Sequence, residues 1–147
     1  NMKLKQISVP IENDHDRTYE LTRALGDKGI NLRALNLVDN GYYGELRILV
    51  SDVPAARHVL MQKGIPAHID DVIAVEVEDR PGQFSNLLES LKEADVKIKY
   101  AYACAGLNSG KAILVCCFND NDLAISVLKE KGVYLLDEMA LSILEAA

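Results

Sequence analysis

The segment Asp79-Arg80-Pro81-Gly82-Gln83-Phe84 carries the residue types and order that point most directly to chemistry. Proline fixes φ and suits the first turn of a helix, where its missing N–H breaks no bond. Glycine removes a side chain and lets a ligand approach the backbone closely. A helix starting here has first-turn N–H groups with no intrahelical acceptor, at the positive end of the macrodipole. A carboxylate is the natural occupant of such a place. Strand carbonyls or a nearby acidic side chain would then accept an ammonium. The plainer alternative is a well-formed turn and helix cap.

Other reactive residue types are present without the spacing that chemistry needs. His15, His58 and His68 are scattered, and no pair has a metal-like spacing with a carboxylate. Cys116 and Cys117 lie inside the apolar run Ala112 to Phe118, where a thiol acts as a small hydrophobe. With Cys104 they make an odd set without metal-ligand spacing, which suits a reducing compartment. No Gly-rich phosphate loop or nucleophile elbow occurs. The expectation is a protein without catalytic residues, metal or cofactor. Acidic pairs such as Asp70-Asp71 read as solvated connectors.

The 147 residues suffice for one mid-sized domain or two very small ones. The chain is 49% apolar but only 5% aromatic, so its core is built from Leu, Ile, Val and Ala. Net charge is −6 with no Lys/Arg cluster, which argues against a phosphate backbone or an anionic membrane as partner. No apolar run reaches transmembrane length, and the N-terminus lacks a signal-like apolar region. A cytoplasmic location is expected.

The elements that must position the segment repeat along the chain. At an offset of 66, Ile30-Asn31-Leu32 falls on Val96-Lys97-Ile98, and Glu12, Leu21, Leu25 and Gly44 fall on Glu78, Leu87, Leu91 and Gly110. Past the second strand pair the offset becomes 68, so Val59-Leu60 meets Val127-Leu128 and Lys63-Gly64 meets Lys131-Gly132. Within each copy, alternation predicts a strand (Ile7 to Ile11; Val72 to Val77) and helical spacing predicts a helix (Leu21, Ala24, Leu25; Phe84, Leu87, Leu88, Leu91). A hairpin follows (Leu32 to Val38 with Tyr43 to Val50; Ile98 to Ala105 with Lys111 to Phe118). Then comes a second helix, capped by Asp52 in the first copy, and a short closing strand (Ala67 to Ile69; Tyr134 to Asp137).

The predicted fold is therefore α+β: two ferredoxin-like βαββαβ repeats, residues 1–71 and 72–147, with antiparallel sheets and helices on one face of each. Both parities of Ala112 to Phe118 are apolar, so the open sheet face should be covered by the other repeat or by a second subunit. A homodimer is expected.

These residues resemble the ACT domain, whose first loop reads D-x-P-G before its helix, as Asp79-Arg80-Pro81-Gly82 does. Gly29-Ile30-Asn31-Leu32 is similar to the Gly-Ile/Val-Asn-Ile phrase that follows that helix. The resemblance covers almost the whole chain and is to stand-alone tandem-ACT proteins without a catalytic domain. It implies a non-catalytic sensor of a free amino acid, with a metabolic enzyme or regulator as its responder. The ligand-binding residues it implies are Asn13, Arg17 and Asn31 in the first repeat and Asp79, Arg80, Pro81, Gly82, Gln83 and Phe84 in the second. Asn36, on the second strand of the first repeat, is the expected opposite wall, with Leu35, Leu37 and Phe84 hinting at an apolar ligand side chain. The first repeat has Asn13-Asp14-His15-Asp16 in place of the Pro-Gly loop, with Asp16 at the position of Gly82. The second has Asp95 and Lys97 where the family prefers Gly and Asn. One composite site or two thus remain open.

Two other readings share this topology. One is a tandem-ACT interaction scaffold that takes no small molecule. The other is an RNA-binding βαββαβ module, since Gly41-Tyr42-Tyr43-Gly44 partly imitates an aromatic RNA-binding strand and Tyr100 and Tyr102 could stack bases. The acidic balance and Glu45 at an aromatic position argue against the latter.

Overall fold

The computed structural model describes residues 1–11, 15–104 and 110–146. In chain order its elements are β1 (Leu4–Pro10), α1 (His15–Asp27), β2 (Leu32–Asp39), β3 (Gly44–Val50), α2 (Val53–Gln62), β4 (His68–Val77), α3 (Gln83–Lys92), β5 (Ile98–Ala103), β6 (Ala112–Phe118), α4 (Asn121–Glu130), β7 (Tyr134–Leu136) and α5 (Glu138–Ala146). The expected α+β class and the doubled β-α-β-β-α-β order are what the chain adopts.

Two compact units form. In the unit Lys5–Asp70, β1 and β2 flank β3, both antiparallel to it, and residues 68–70 of β4 close the unit. In the unit Asp71–Ala147 the order is β7-β4-β6-β5, every pairing antiparallel. Asn1–Leu4 belong with the second unit, not the first. Met2 packs against that unit's core, and Lys3 Nζ lies 2.7 Å from Asp122 Oδ1.

The two cores match position by position. Ile7, Val9, Leu21, Leu25, Ile48, Ala56 and Leu60 are buried together in the first. Ile73, Val75, Leu87, Leu91, Cys116, Ala124 and Leu128 are buried together in the second. Each fully buried aliphatic side chain of this kind contributes roughly 1.5–3 kcal/mol. Cys116 stands where the first unit has Ile48, so this thiol fills a hydrophobic position. Burial pushes its pKa up to about 12.

Strand register corrects the repeat alignment. Ile7 pairs with Ile48 and Ile73 with Cys116, so the first strand repeats at 66 and the third at 68. Leu35 opposite Ile48 and Ala101 opposite Cys116 keep the second strand at 66. The two extra residues therefore fall in the β5–β6 hairpin and not after the strand pair. Gly44 answers to Ala112, not to Gly110.

Helix ends follow one rule. The N–H groups of Ile30, Ile65, Val96 and Val133 donate to the carbonyls of Leu25, Leu60, Leu91 and Leu128 at 2.9–3.2 Å. This is the six-to-one bond of the Schellman motif, with an apolar residue just beyond each helix. The turn residue is left-handed each time: Gly29, Gly64 and Gly132, but Asp95 after α3, with φ 56.

Two elements depart from the sequence reading. The separate strands expected at Ala67 to Ile69 and Val72 to Val77 are one strand, β4. Asp70 and Asp71 do not form a connector, because partners serve them in place. The Ser8 hydroxyl donates to Asp70 Oδ2 at 2.8 Å, and Asn121 Nδ2 donates to the Asp71 carbonyl at 3.0 Å. Helix α5 was not anticipated. Asp137 caps it by accepting the Ala140 N–H at 2.9 Å, and Leu141 anchors it in the interior.

Candidate functional site

The strand-to-helix junction of the second unit is a tight turn. The Gln83 N–H donates to the Arg80 carbonyl at 3.3 Å, with Pro81 and Gly82 between them. Gly82 has φ 86 and ψ −6, the left-handed third position of a type II turn, for which Pro81 presets the second. Pro81 thus precedes α3 instead of occupying its first turn, and Gly82 is the N-cap. The glycine is required for its backbone angle. A Cβ there would meet nothing within 4 Å, so the approach to this turn is open.

Because Gly82 has no side chain, nothing of its own caps α3. Its carbonyl accepts the Asn86 N–H at 3.0 Å and the Ser85 hydroxyl at 2.9 Å. The Gln83 N–H is engaged in the turn, which leaves the N–H groups of Phe84 and Ser85 as the first-turn donors without an intrahelical acceptor. Asp79, Arg80, Pro81 and Gly82 are exposed, Gln83 is half-buried, and Phe84 is exposed.

The first unit is built differently. Helix α1 begins at His15, so Asp16 lies within its first turn and does not occupy a Gly82-like cap. An acidic residue there complements the macrodipole. Arg17 Nη1 donates to the Pro10 carbonyl at 3.3 Å, tying α1 to the end of β1. Asn13 lies outside the described residues.

Asn31 is distant from its own unit's first loop. The Ile11 N–H donates to the Gly44 carbonyl at 2.9 Å, at one end of β3. Asn31 is clasped at the other end, its N–H donating to Ser51 Oγ and its carbonyl accepting the Ser51 N–H, both at 3.0 Å. Lys97 and Asn119 make the same clasp in the second unit, also at 3.0 Å. At this position the backbone of each unit holds the sheet end.

Asn36 heads a polar chain on the sheet face away from the helices. Arg47 Nη1 donates to Asn36 Oδ1 at 3.0 Å, and Arg47 Nε to Glu45 Oε1 at 2.7 Å. The Tyr43 hydroxyl donates to the other Glu45 oxygen. That bond, followed by burial, raises the Tyr43 pKa. Gln6 and Ser8, on the same face of β1, are fully buried and bonded to each other at 3.0 Å.

Sequence reasoning missed the surroundings of α3. A cavity of about 250 Å³ opens on one flank, lined among others by Glu76, Glu78, Gln83, Asn86 and Lys111. Lys111 Nζ lies 3.7 Å from Glu76 and 3.4 Å from Glu78. A wider groove of about 990 Å³ runs along the other flank, past Ser85, Leu88, Lys92 and Lys97. Of the expected ligand residues only Gln83 lines either. Among the described residues no cluster of His, Cys, Asp or Glu could hold a metal, and no helix is long and apolar enough to cross a membrane.

The repeat, the open turn and the paired cores agree with a family model, the ACT domain pair, which matches residues 2–144. The chain belongs to this family. ACT domains are amino-acid-binding regulatory modules, not catalytic ones. Among solved structures, this ACT pair is similar to protein BT0572 from Bacteroides thetaiotaomicron, with 36% identity and a TM-score of 0.88, covering 95% of this chain and 96% of that one. The regulatory subunit of aspartate kinase from Thermus thermophilus, in its ligand-free form, shares the fold at 15% identity and a TM-score of 0.62, covering 88% and 90%. Its counterpart from Thermus flavus does so at 14% identity, with the same score and coverage. No curated protein matches the sequence.

Proposed function

We propose that this ACT pair is a non-catalytic, cytoplasmic sensor whose second repeat holds the carboxylate of a free amino acid. The carboxylate is received by the N–H groups of Phe84 and Ser85, beside the turn of Arg80, Pro81 and Gly82. The observation that carries this reading is the uncapped start of α3, with open space above Gly82. The first unit is the poorer anion site, because the acidic side chain of Asp16 already lies in the first turn of α1. Asn36, on a β2 strand, is the proposed second contact. Its Oδ1 accepts from Arg47 Nη1, so its amide NH₂ is the group with which it would donate to a ligand. The protein acts as a homodimer and passes its signal to a metabolic enzyme or regulator.

A thermal-shift screen of the twenty amino acids tests this. A ligand at a hundred times its dissociation constant stabilises the native state by about 2.7 kcal/mol. For a chain of this length that corresponds to a shift of roughly several degrees. Equilibrium dialysis against the same mixture with nothing retained would instead favour an interaction scaffold.

A further inference from the structure

The hairpin between β2 and β3 turns through Asn40, Gly41, Tyr42 and Tyr43, all exposed. Asn40 is the only asparagine in the chain followed by glycine. The amide carbon of an asparagine lies within reach of the next residue's main-chain nitrogen, and a glycine there has no side chain to obstruct the approach. The bonds of this turn bear on that reaction. The Gly41 N–H donates to Asp39 Oδ1 at 3.0 Å, so a carboxylate already sits on the proton of the attacking nitrogen. Asn40 Oδ1 accepts the Tyr42 N–H at 3.0 Å and the Tyr43 N–H at 2.8 Å. Among the described residues nothing bonds Asn40 Nδ2, the group that would leave. A Cβ on Gly41 would meet nothing within 4 Å, so the turn is open to water.

We propose that this turn promotes its own deamidation at Asn40. The Gly41 nitrogen forms a bond to Asn40 Cγ and gives its proton to the Asp39 carboxylate, which acts as general base. Negative charge gathers on Asn40 Oδ1, where the Tyr42 and Tyr43 N–H groups stabilise it as an oxyanion hole does. The Cγ–Nδ2 bond then breaks, and Nδ2 leaves as ammonia with the proton returned by Asp39. Water opens the remaining cyclic imide at either carbonyl, giving aspartate or isoaspartate. Nothing is oxidised or reduced: amide and water become carboxylic acid and ammonia. Attacking and attacked groups are neighbours in one chain, so no encounter entropy is lost. Both products add a negative charge beside Asp39, and isoaspartate lengthens the main chain at the hairpin tip. The turn thereby acquires a slow, irreversible covalent mark without any enzyme.

The test ages the full chain at neutral pH, folded and in parallel unfolded in guanidinium chloride, and maps tryptic peptides by mass spectrometry. Peptide 34–47 holds both Asn36 and Asn40, and fragmentation shows which of them has exchanged an amide for a carboxylic acid. Asn40 should convert at least about tenfold faster in the folded chain, a modest share of the roughly 10²–10⁴-fold that positioned acid–base groups contribute in enzymes. Asn36, followed by Leu37, should stay intact. Asp39→Asn keeps an acceptor for the Gly41 N–H but cannot take its proton. It should remove most of the acceleration in the folded chain, with the unfolded rate and the circular dichroism spectrum little changed. Conversion no faster in the folded chain than in the unfolded one would overturn the proposal, because the bonds on Asn40 Oδ1 would then be holding its side chain away from Gly41. Acceleration that survives Asp39→Asn would overturn the role of Asp39 as base.

Discussion

Asp95 holds after α3 the left-handed backbone position that Gly29 holds after α1, with φ 56 against 73. In both, the next residue's N–H reaches back to a buried leucine, Val96 to Leu91 at 3.2 Å and Ile30 to Leu25 at 3.0 Å. An L-residue with a Cβ is strained there by roughly 1–2 kcal/mol, and aspartate is among the least strained. The Lys97 ammonium 3.8 Å from the Asp95 carboxylate offsets little, since both are exposed.

Asp95→Gly should therefore stabilise the protein, by about 0.5–1 kcal/mol. Urea unfolding should show a higher midpoint with an unchanged slope. An unchanged or lower midpoint would mean that the Asp95 side chain makes a contribution the backbone geometry does not show.

Cys116 links the core to pH. Its pKa is raised to about 12 by burial, and secondarily by Cys117 and Cys104, against an ordinary value near 9.0. Between these values the unfolded chain loses the thiol proton and the folded chain keeps it. Stability is then fully present below pH 9 and is lost as pH rises toward 12, at up to about 1.4 kcal/mol per pH unit from this group. Cys116→Val should flatten that decline relative to wild type. Native Cys116 should also resist thiol reagents at neutral pH, and rapid labelling there would contradict its place in the core.

The Arg47–Glu45 pair is mostly buried, with side chains 15% and 11% exposed. Arg47→Met leaves Glu45 with only the Tyr43 hydroxyl among the contacts described above, and should destabilise by about 2–4 kcal/mol. Adding Glu45→Leu to that variant should recover most of the loss. If the double variant is no more stable than the single one, the penalty comes from packing and not from a stranded charge.

The loop variants separate ligand chemistry from folding. Gly82→Asp should fold, because aspartate tolerates the left-handed region at a cost of about 1 kcal/mol, yet lose binding through like-charge repulsion. Gly82→Ala carries similar strain without the charge and should retain weakened binding. Asp16→Gly should leave binding intact but destabilise α1 by roughly 0.5–1 kcal/mol, since Asp16 is helical. Denaturant midpoints and thermal shifts measured side by side distinguish the two effects.

Most of the fold was legible because each repeat declares itself through residues with one simple role. Leu21 and Leu25 mark a buried helix face, Asp52 a cap, and Gly64 a helix end. What was misread involved polar residues satisfied at a distance. Asp70 and Asp71 resemble a solvated connector until Ser8 and Asn121 supply their partners from 62 and 50 residues away. The hairpin insertion escaped because two glycines aligned by chance. Helix α5 escaped although Asp137 followed by Glu138 was its sequence signal. For the site, the Pro81–Gly82 turn was visible as a motif. The clasp at Asn31, the hold of Arg47 on Asn36 and the Lys111 pairs depend on strand register, which spacing alone does not reveal.

The central claim, a carboxylate received at the start of α3, is tested most directly by amide NMR. The ¹H–¹⁵N spectrum should be recorded with and without a saturating amino acid chosen from the thermal screen. The account predicts that the largest shifts fall on the amides of Gly82, Gln83, Phe84 and Ser85, and that Gly82→Asp abolishes them. Binding that leaves these amides unmoved while others shift would contradict the account.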